Sequence, residues 1–257
     1  MSTVRMSQPQ KAFSKAACRY DRFSALQKEI GLELLYRIPQ KPYQHILDIG
    51  MGTGWLTEKC GQRFLEAKTT GLDYAPGMVA CAKNRKIDFV VQADAQALPF
   101  PSEAFDLIIS NCVYQWIEDL PGAFCESGRV LKQGGDFFFT CFGSATLKEL
   151  REAIAQSTYH QGVMHHGQDL AQERVCTALK MAGLNEIDIC SEIRIEKFND
   201  FSSLLHWLKV IGANRVQRPM FVGRELLGRV SAYYQNHFSI EGGVMASFEI
   251  IFGKARK

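Results

Sequence analysis

Short apolar runs alternate with amphipathic segments between about residues 43 and 142, and the apolar runs end in small or acidic residues. This alternation predicts βα units on a parallel sheet. The amphipathic segments predict a helix just after Gly54, a helix that begins at Pro76, and a helix over residues 119–131 that ends at a turn in KQGG. The apolar runs are HILDIG (45–50), KTTGLD (68–73), IDFVVQAD (87–94), FDLIISN (105–111) and GDFFFTCF (135–142).

The second half of the chain continues with helices and further strands. Thr146 and Glu149 have the T-x-x-E spacing of a capping box, which predicts the start of a helix. The pattern then predicts a helix near residues 170–182, a strand near 187–195 and a last strand in MASFEIIFGKA, residues 245–255.

Residues 200–237 are predicted to be helical throughout. In DFSSLLHWLKVIGA, Asn199 or Asp200 is the expected N-cap and Gly212 the expected end of the helix. We interpret this region as a helical lid inserted before the last strand. The apolar residues that share one face of its first helix are Phe201, Leu204, Leu205, Leu208 and Ile211.

Apolar side chains also recur at helical spacing near the start of the chain. This spacing predicts an amphipathic helix that packs on the core. The residues are Ala12, Phe13, Ala16, Ala17 and Tyr20.

Length and composition narrow the possible classes of protein. A chain of 257 residues predicts one large domain, or one domain with an insertion, at roughly 150 residues per domain. Apolar residues make up 46% of the chain and charged residues 22%, which excludes an intrinsically disordered protein. The net charge of +3 is far below the basic excess of proteins that neutralise many phosphates, so we expect no nucleic-acid partner.

The sequence also predicts where the protein resides. No apolar run approaches the roughly 20 residues of a membrane span, and MSTVRMSQPQ has no apolar signal core. We therefore expect a cytoplasmic protein that does not contact membranes. The eight cysteines include no C-x-x-C pair and are predicted to be small buried hydrophobic residues, without disulfides or a metal site.

Glycines follow the first predicted strand in LDIGMGTG. The strand ends at Asp48 and continues into Gly50, Gly52 and Gly54, which let a ligand lie against bare backbone at the carboxyl end of the sheet. A dinucleotide fingerprint would require a sixth-position glycine where Trp55 stands, so NAD is disfavoured. The alternative reading is a tight turn between strand and helix.

Acidic and amide residues mark the ends of the next strands. Asp73 lies 19 residues after Gly54, where a carboxylate can accept hydrogen bonds from both ribose hydroxyls; alternatively it caps the helix at Pro76. Asp94 could accept a purine amino group, and Ala95 follows it. The fourth strand ends at Asn111, with Tyr114, Gln115 and Trp116 just beyond.

These features in this order resemble the class I S-adenosylmethionine-dependent methyltransferases. Several longer segments resemble more narrowly the malonyl-[acyl-carrier-protein] O-methyltransferases of biotin synthesis, and together they involve nearly the whole chain. Those segments are AFSKAACRYDRFSALQ (12–27), ADAQALPF (93–100), SNCVYQW (110–116), RVLKQGG (129–135) and LKVIGANR (208–215).

The resemblance implies a Rossmann-like α/β fold with a mostly parallel seven-stranded sheet and helices on both faces. It implies a single domain over residues 1–257, with an N-terminal helical cover (1–40), a core (43–195 and 240–257) and the helical lid (197–237). It also implies that S-adenosylmethionine is the cofactor and that Tyr20 closes the site from water, with help from Gln27. The cofactor-binding residues implied are Asp48, Gly50, Gly52, Gly54, Asp73, Tyr74, Met78, Asp94, Ala95 and Asn111.

The implied reaction is methylation of the free carboxylate of a malonyl group carried by acyl carrier protein or coenzyme A. Such a carboxylate, with a pKa of about 4, is already ionised at pH 7, so we expect no general base and no metal. A cation should orient it, and Arg215 is the candidate, so we expect Arg215 and Tyr20 to be the catalytic residues. The predicted substrate-binding residues are Gln115, Trp116, Arg215 and Arg218.

Residues 197–230 carry six basic and two acidic side chains, which suits an acidic partner such as acyl carrier protein. Two other functions stay open. A methyltransferase of quinone or other small-molecule metabolism could use His165 or His166 as a base, unless these residues lie in a solvated loop. A methyltransferase-like protein that binds without catalysis is disfavoured by the intact glycines and Asp73.

Overall fold

The computed structural model describes residues 7–157, 170–213 and 223–257. Its helices are α1 (Gln8–Phe23), α2 (Ala25–Arg37), α3 (Trp55–Arg63), α4 (Pro76–Ala82), α5 (Leu120–Val130), α6 (Lys148–Ser157), α7 (Gln172–Met181), α8 (Phe201–Val210) and α9 (Arg224–Phe238), with a short 3-10 helix at Tyr114–Trp116. Its strands are β1 (His45–Ile49), β2 (Lys68–Asp73), β3 (Phe89–Gln92), β4 (Phe105–Asn111), β5 (Leu131–Phe142), β6 (Asn185–Phe198), β7 (Ser239–Ile240) and β8 (Gly243–Arg256).

The strands form one mostly parallel sheet in the order β3-β2-β1-β4-β5-β8-β6. The first five strands in this order are parallel to one another, and β8 runs antiparallel to β5 on one side and to β6 on the other. The prediction of a mostly parallel sheet is confirmed, although two-residue β7 adds an eighth strand by pairing with the start of β8. The strand order reverses at β1, which pairs with both β2 and β4, and open α/β sheets bind ligands beside such a point.

The sheet separates layers of apolar side chains. One layer contains Tyr114, Phe124 of α5, and Phe137 and Phe139 of β5, whose rings lie 4.4 to 6.0 Å apart between centroids. The other layer is formed by side chains of α2, α3, α6, α8 and α9. Because the parallel strands are covered on both faces, their runs read as nearly continuous apolar sequence.

The predicted turn in KQGG lies inside the bounds of β5. Phe105 pairs with Leu131, but the next pair is Leu107 with Asp136, so the ladder is irregular across residues 132–135. Gly134 has a φ of 72°, which favours glycine in the chain reversal. Strand β5 therefore begins at Leu131, earlier than the predicted start at residue 135. The predicted turn is present, and it interrupts the pairing of β5 with β4.

The predicted capping box at Thr146 and Glu149 is wrong. Thr146 exchanges hydrogen bonds with the backbone of Glu249 in β8, and α6 starts only at Lys148. The Glu149 carboxylate is 1% exposed and accepts hydrogen bonds from the backbone N–H and the hydroxyl of Ser247. The Glu149 carboxylate therefore bonds to a distant strand instead of capping its own helix. This contact satisfies the N–H and the hydroxyl of Ser247, which are costly to bury without acceptors.

The predicted lid contains two helices in the described residues. Asp200 caps α8 in a capping box with Ser203, and Gly212 follows its end with a φ of 80°, as expected. The predicted apolar face is confirmed, with four residues buried and Leu205 partly buried. The buried residues are Phe201, Leu204, Leu208 and Ile211.

The cysteine prediction holds only in part. All eight cysteines are free, and Cys60 and Cys141 are buried. However, Cys18, Cys125 and Cys190 are exposed, because α1, α5 and β6 turn these positions toward solvent. In the described part of the chain, no helix combines the length and the apolar character needed to cross a membrane.

We predict that Glu149→Ala destabilises the fold by about 2 to 3 kcal/mol, because it leaves the buried N–H and hydroxyl of Ser247 without their acceptors. Urea unfolding measures this change. The matched control is Lys148→Ala at the exposed neighbouring position, which should stay within about 0.5 kcal/mol of wild type. Equal stability of the two variants would contradict the structural role of Glu149.

Candidate functional site

A large cavity opens where β1, β2, β3 and β4 end, and α1 covers it. It holds about 280 Å³, whereas a second cavity beside it holds about 40 Å³. Of the residues predicted from the sequence, the large cavity is lined by Tyr20, Gly50, Gly52, Asp73, Tyr74, Met78, Asp94, Ala95, Asn111 and Trp116. The strand order therefore brings most of the predicted residues to one edge of the sheet.

The three glycines after β1 differ in why glycine suits each position. Gly50 has a φ of 72°, and a Cβ there would lie 2.3 Å from Val113, so no larger residue fits. A Cβ at Gly52 would meet nothing within 4 Å, because the backbone there faces open space in the cavity. Gly54 has a φ of 79° at the start of α3 and does not line the cavity, so its predicted role in binding stays a prediction.

Asp73 joins two loops at the bottom of the cavity. One carboxylate oxygen accepts from the Gly52 N–H at 2.8 Å, and the other accepts from the Ala75 N–H at 2.7 Å. Burial raises the pKa of Asp73 to about 6, although both backbone donors favour the charged form. Because each oxygen has a second lone pair, the carboxylate can still accept hydrogen bonds from a ligand.

Asp48 lies beneath the glycine loop instead of in the large cavity. Its side chain is 1% exposed and accepts a hydrogen bond of 2.6 Å from the Thr57 hydroxyl. Burial, with a smaller contribution from the nearby charge of Asp73, raises the pKa of Asp48 to about 7. Asp48 therefore contacts only a smaller polar cavity next to Gly50 and Gly52.

Two residues that line this smaller polar cavity each have a buried polar atom without a hydrogen-bond partner among the described residues. These atoms are the hydroxyl oxygen of Ser24 and the side-chain oxygen of Gln27, in residues 1% and 6% exposed. Lys28 lines the same cavity. Buried polar atoms are seldom left unpaired, so these two oxygens are available for hydrogen bonds to a polar ligand in this cavity.

The loops after β2 and β3 form the outer part of the large cavity. The Asp94 carboxylate accepts from the backbone and side-chain amides of Gln96, which hold it at the cavity wall. Met78 is buried, and Tyr74 is partly exposed. The carbonyl of Tyr74 accepts from the Gln10 amide at 2.9 Å, which fastens α1 over the cavity.

The end of β4 carries Asn111 and Cys112 into the cavity. Asn111 donates to the carbonyl of Gln27 at 2.8 Å and accepts from the Thr140 hydroxyl at 2.7 Å, which ties the strand to α2. Cys112 has a φ of 58°, an uncommon conformation for a residue other than glycine. Burial raises the pKa of the Cys112 thiol to about 12, so it stays protonated and is a poor nucleophile.

Helix α1 supplies the aromatic wall. Phe13 packs edge-to-face on Trp116 with ring centroids 5.3 Å apart. Tyr20 borders three cavities: the large cavity, the second cavity and the smaller polar cavity. Burial, and then the charges of Cys112, Asp73 and Asp21, raise the pKa of Tyr20 well above its usual value, so its phenol stays neutral.

The second cavity is mostly apolar. Among its described lining residues none is an Asp, Glu, Lys, Arg or His. Gln115 lies in its wall, where its amide donates to the carbonyl of Cys112 at 2.8 Å and accepts from the Phe142 N–H at 3.4 Å. Arg215, Arg218, His165 and His166 lie outside the described residues.

The sequence did not point to the polar contacts that hold α1 in place. Asp21 accepts from the Thr53 hydroxyl at 2.7 Å and forms an ion pair with Arg85, which also donates to the carbonyl of Thr53 at 2.8 Å. Gln10 was likewise missed. The helical spacing of Phe13 and Tyr20 predicted only that this helix packs on the core, and its place over the cofactor site was implied by the family resemblance.

Comparison with known proteins places these features in context. Residues 47–139 match the family model of a methyltransferase domain. The chain is 31% identical to the malonyl-[acyl-carrier protein] O-methyltransferase of Geobacter sulfurreducens, over 96% of this chain and 97% of that protein. It is 33% identical to the biotin biosynthesis bifunctional protein BioHC of Saccharophagus degradans, over 94% of this chain, but it spans only 45% of that protein's length.

A solved structure has a similar fold. Phosphoethanolamine N-methyltransferase 2 of Haemonchus contortus in complex with S-adenosyl-L-methionine superposes with a TM-score of 0.59, over 95% of this chain and 57% of that chain. The sequence identity is 21%, so this likeness concerns the fold alone. Together with the domain match, it confirms the fold class expected from the sequence.

We predict that Asp48→Asn makes stability less dependent on pH between about pH 4 and 7. In the folded state Asp48 keeps its proton up to about pH 7, whereas the unfolded chain loses it near 3.8, so wild-type stability falls as pH rises through this window. Chemical denaturation at several pH values measures the slope. The control Asp188→Asn, at an exposed carboxylate, should keep the wild-type slope; parallel curves for wild type and Asp48→Asn would contradict the prediction.

Proposed function

Since the chain belongs to the malonyl-[acyl-carrier protein] O-methyltransferase family, we propose that it methylates the free carboxylate of a malonyl group carried by acyl carrier protein, an early step of biotin synthesis. The chain is an S-adenosylmethionine-dependent methyltransferase. The product would be a methyl ester, in which the negative charge of the carboxylate is masked. The identity of the carrier, protein or coenzyme A, is part of this proposal.

The residues present fit S-adenosylmethionine. Asp73 has free lone pairs for the ribose hydroxyls, and Gly52 leaves open space against its backbone. Asp94 can accept the purine amino group. The unpaired oxygens of Ser24 and Gln27 supply acceptors for the ammonium of the amino-acid end, and Lys28 can meet its carboxylate.

When bound, this cofactor supplies a methyl group on a sulfonium, which leaves as a neutral thioether when a nucleophile takes the methyl. The chain's own task is to hold the nucleophile in line and to exclude water. Phe13 and Trp116 cover the cavity with their packed rings, and Tyr20 lies where the cavities meet. We propose that these three side chains form the dry wall of the reaction site.

One observation carries the choice of a carboxylate nucleophile. The second cavity would hold the methyl acceptor, and its only described titratable side chains are Tyr20 and Cys112. Both are kept in their protonated forms by burial, so neither accepts a proton readily at neutral pH. An acceptor that is already ionised needs no base, and a malonyl carboxylate meets this condition.

A carboxylate in this apolar cavity needs a donor to orient it. Arg215 and Arg218 remain our candidates, since Arg215 follows Ala213, a residue of the cavity wall, by two positions in the sequence. The fork of an arginine would bind both carboxylate oxygens. Gln115 contributes to the cavity wall, although its amide already bonds to the backbone.

We predict that Asp73→Asn weakens S-adenosylmethionine binding by roughly 1.5 to 3 kcal/mol near pH 8, because the amide loses acceptor capacity in a buried site. In wild type, a proton competes with the ligand below about pH 6, so the Kd should rise by up to about tenfold for each pH unit below it. The variant should lack this rise. Calorimetry measures both effects, with Asp188→Asn as the control; wild-type affinity and pH dependence in Asp73→Asn would contradict the assignment.

The function itself is tested by transfer of labelled methyl to malonyl carrier protein, malonyl-coenzyme A and a quinone precursor side by side. We expect malonyl carrier protein to be the best acceptor. At saturating cofactor, kcat should be nearly constant from about pH 6 to 8, because the nucleophile is ionised throughout. Transfer to the quinone precursor alone, with a bell-shaped pH profile, would overturn the proposal in favour of small-molecule metabolism.

A further inference from the structure

A groove between α1 and α8 carries a concentration of positive charge, and we call it the basic groove. Its rim is formed by Lys11, Lys15 and Arg19 of α1 and by His206 and Lys209 of α8, all exposed. Its floor includes the buried side chains of Ala16 and Val210. None of its described lining residues is acidic. An apolar floor with a charged rim is the usual construction of a protein interface.

The four permanent cations of this rim have no acidic residue beside them in the groove. Lys11, Lys15, Arg19 and Lys209 form no ion pair with a carboxylate of the described residues. Elsewhere, Arg85 pairs with Asp21 and Glu58, and Arg194 pairs with Glu33 and Glu192. The groove therefore gathers four unpaired cations in one place, in a chain whose net charge is only +3.

The spacing on α1 aligns these charges. Lys11, Lys15 and Arg19 are four residues apart, so they form one row along a helix face about 12 Å long. Like charges at this spacing repel one another by a few tenths of a kcal/mol per pair. An acidic surface placed in the groove would relieve this repulsion and gain attraction from the same residues.

The groove borders the second cavity. At the end of α8, a Cβ on Gly212 would lie 3.1 Å from the Phe13 ring, so the two helices are in close contact there. Phe13, Leu208 and Ile211 line the second cavity on the inner side of this contact, while Lys209 and Val210 face the groove. A partner in the groove would sit about one helix diameter, roughly 10 Å, from the proposed acceptor site.

We propose that the basic groove is the docking surface for acyl carrier protein. The proposal rests on the proposed function, which makes a carrier protein the substrate. Carrier proteins are acidic, and the groove offers four unpaired cations beside the cavity into which the malonyl group must reach. Docking here leaves α1 free to cover the cofactor cavity with its other face, which carries Phe13 and Tyr20.

The test uses the full chain with the double charge reversal Lys15→Glu with Lys209→Glu. The matched control is Lys180→Glu, a charge reversal at an exposed lysine of α7. Helix α7 packs against the same apolar layer as α5, whereas α8 belongs to the other layer, so this position lies away from the groove. We expect the double variant to raise the KM for malonyl carrier protein by more than about tenfold and to reduce the salt dependence of binding. Its kcat at saturation, its S-adenosylmethionine affinity and its activity on malonyl pantetheine, which has no protein, should match wild type.

Binding of carrier protein without a malonyl group is measured in parallel by fluorescence anisotropy, since it needs no methyl transfer. If the wild type binds carrier protein but transfers nothing, the proposed function fails while docking is still decided by the variants. If the double variant binds carrier protein as tightly as wild type and with the same salt dependence, the docking proposal is overturned. Binding of single-stranded RNA that the double variant loses, with no binding of carrier protein, would assign the groove to nucleic acid instead.

Discussion

The Asp73 carboxylate is the interaction on which the site depends. It holds the Gly52 N–H of the loop after β1 and the Ala75 N–H before α4, so two βα loops are fixed to each other through one side chain. Burial raises the pKa of Asp73 to about 6, so the negative charge of this carboxylate is costly when no ligand is bound. A ligand with hydroxyl donors offsets that cost, and the site is therefore incomplete until such a ligand binds.

Helix α1 connects this site to the rest of the proposed function. Its inner face covers the cavity with Phe13 and Tyr20, and Asp21 ties its end to Arg85 and the glycine loop. Its outer face carries the row of cations in the basic groove. Cofactor cover and partner surface are thus opposite faces of one helix.

Much of the fold could be predicted from the sequence because parallel strands buried on both faces give uninterrupted apolar runs, and β2 and β4 begin and end at the residues expected. Glu149 could not be read correctly, since its partner Ser247 is far away in the chain and a local capping pattern looks the same. For the site, strand-end residues such as Asp73 and Asn111 were predictable from position. The contacts of Gln10, Asp21 and Arg85 were not, because polar residues on a helix carry no periodic signal for a distant partner.

The central claim is that this site methylates an oxygen of a carboxylate that needs no base. A malonyl group also has an acidic carbon, so the position of the new methyl distinguishes the two chemistries. The most direct measurement transfers an isotope-labelled methyl to malonyl carrier protein and locates it by nuclear magnetic resonance before and after mild alkali. We expect a label on oxygen that alkali releases as methanol. A label on carbon that survives alkali would contradict it.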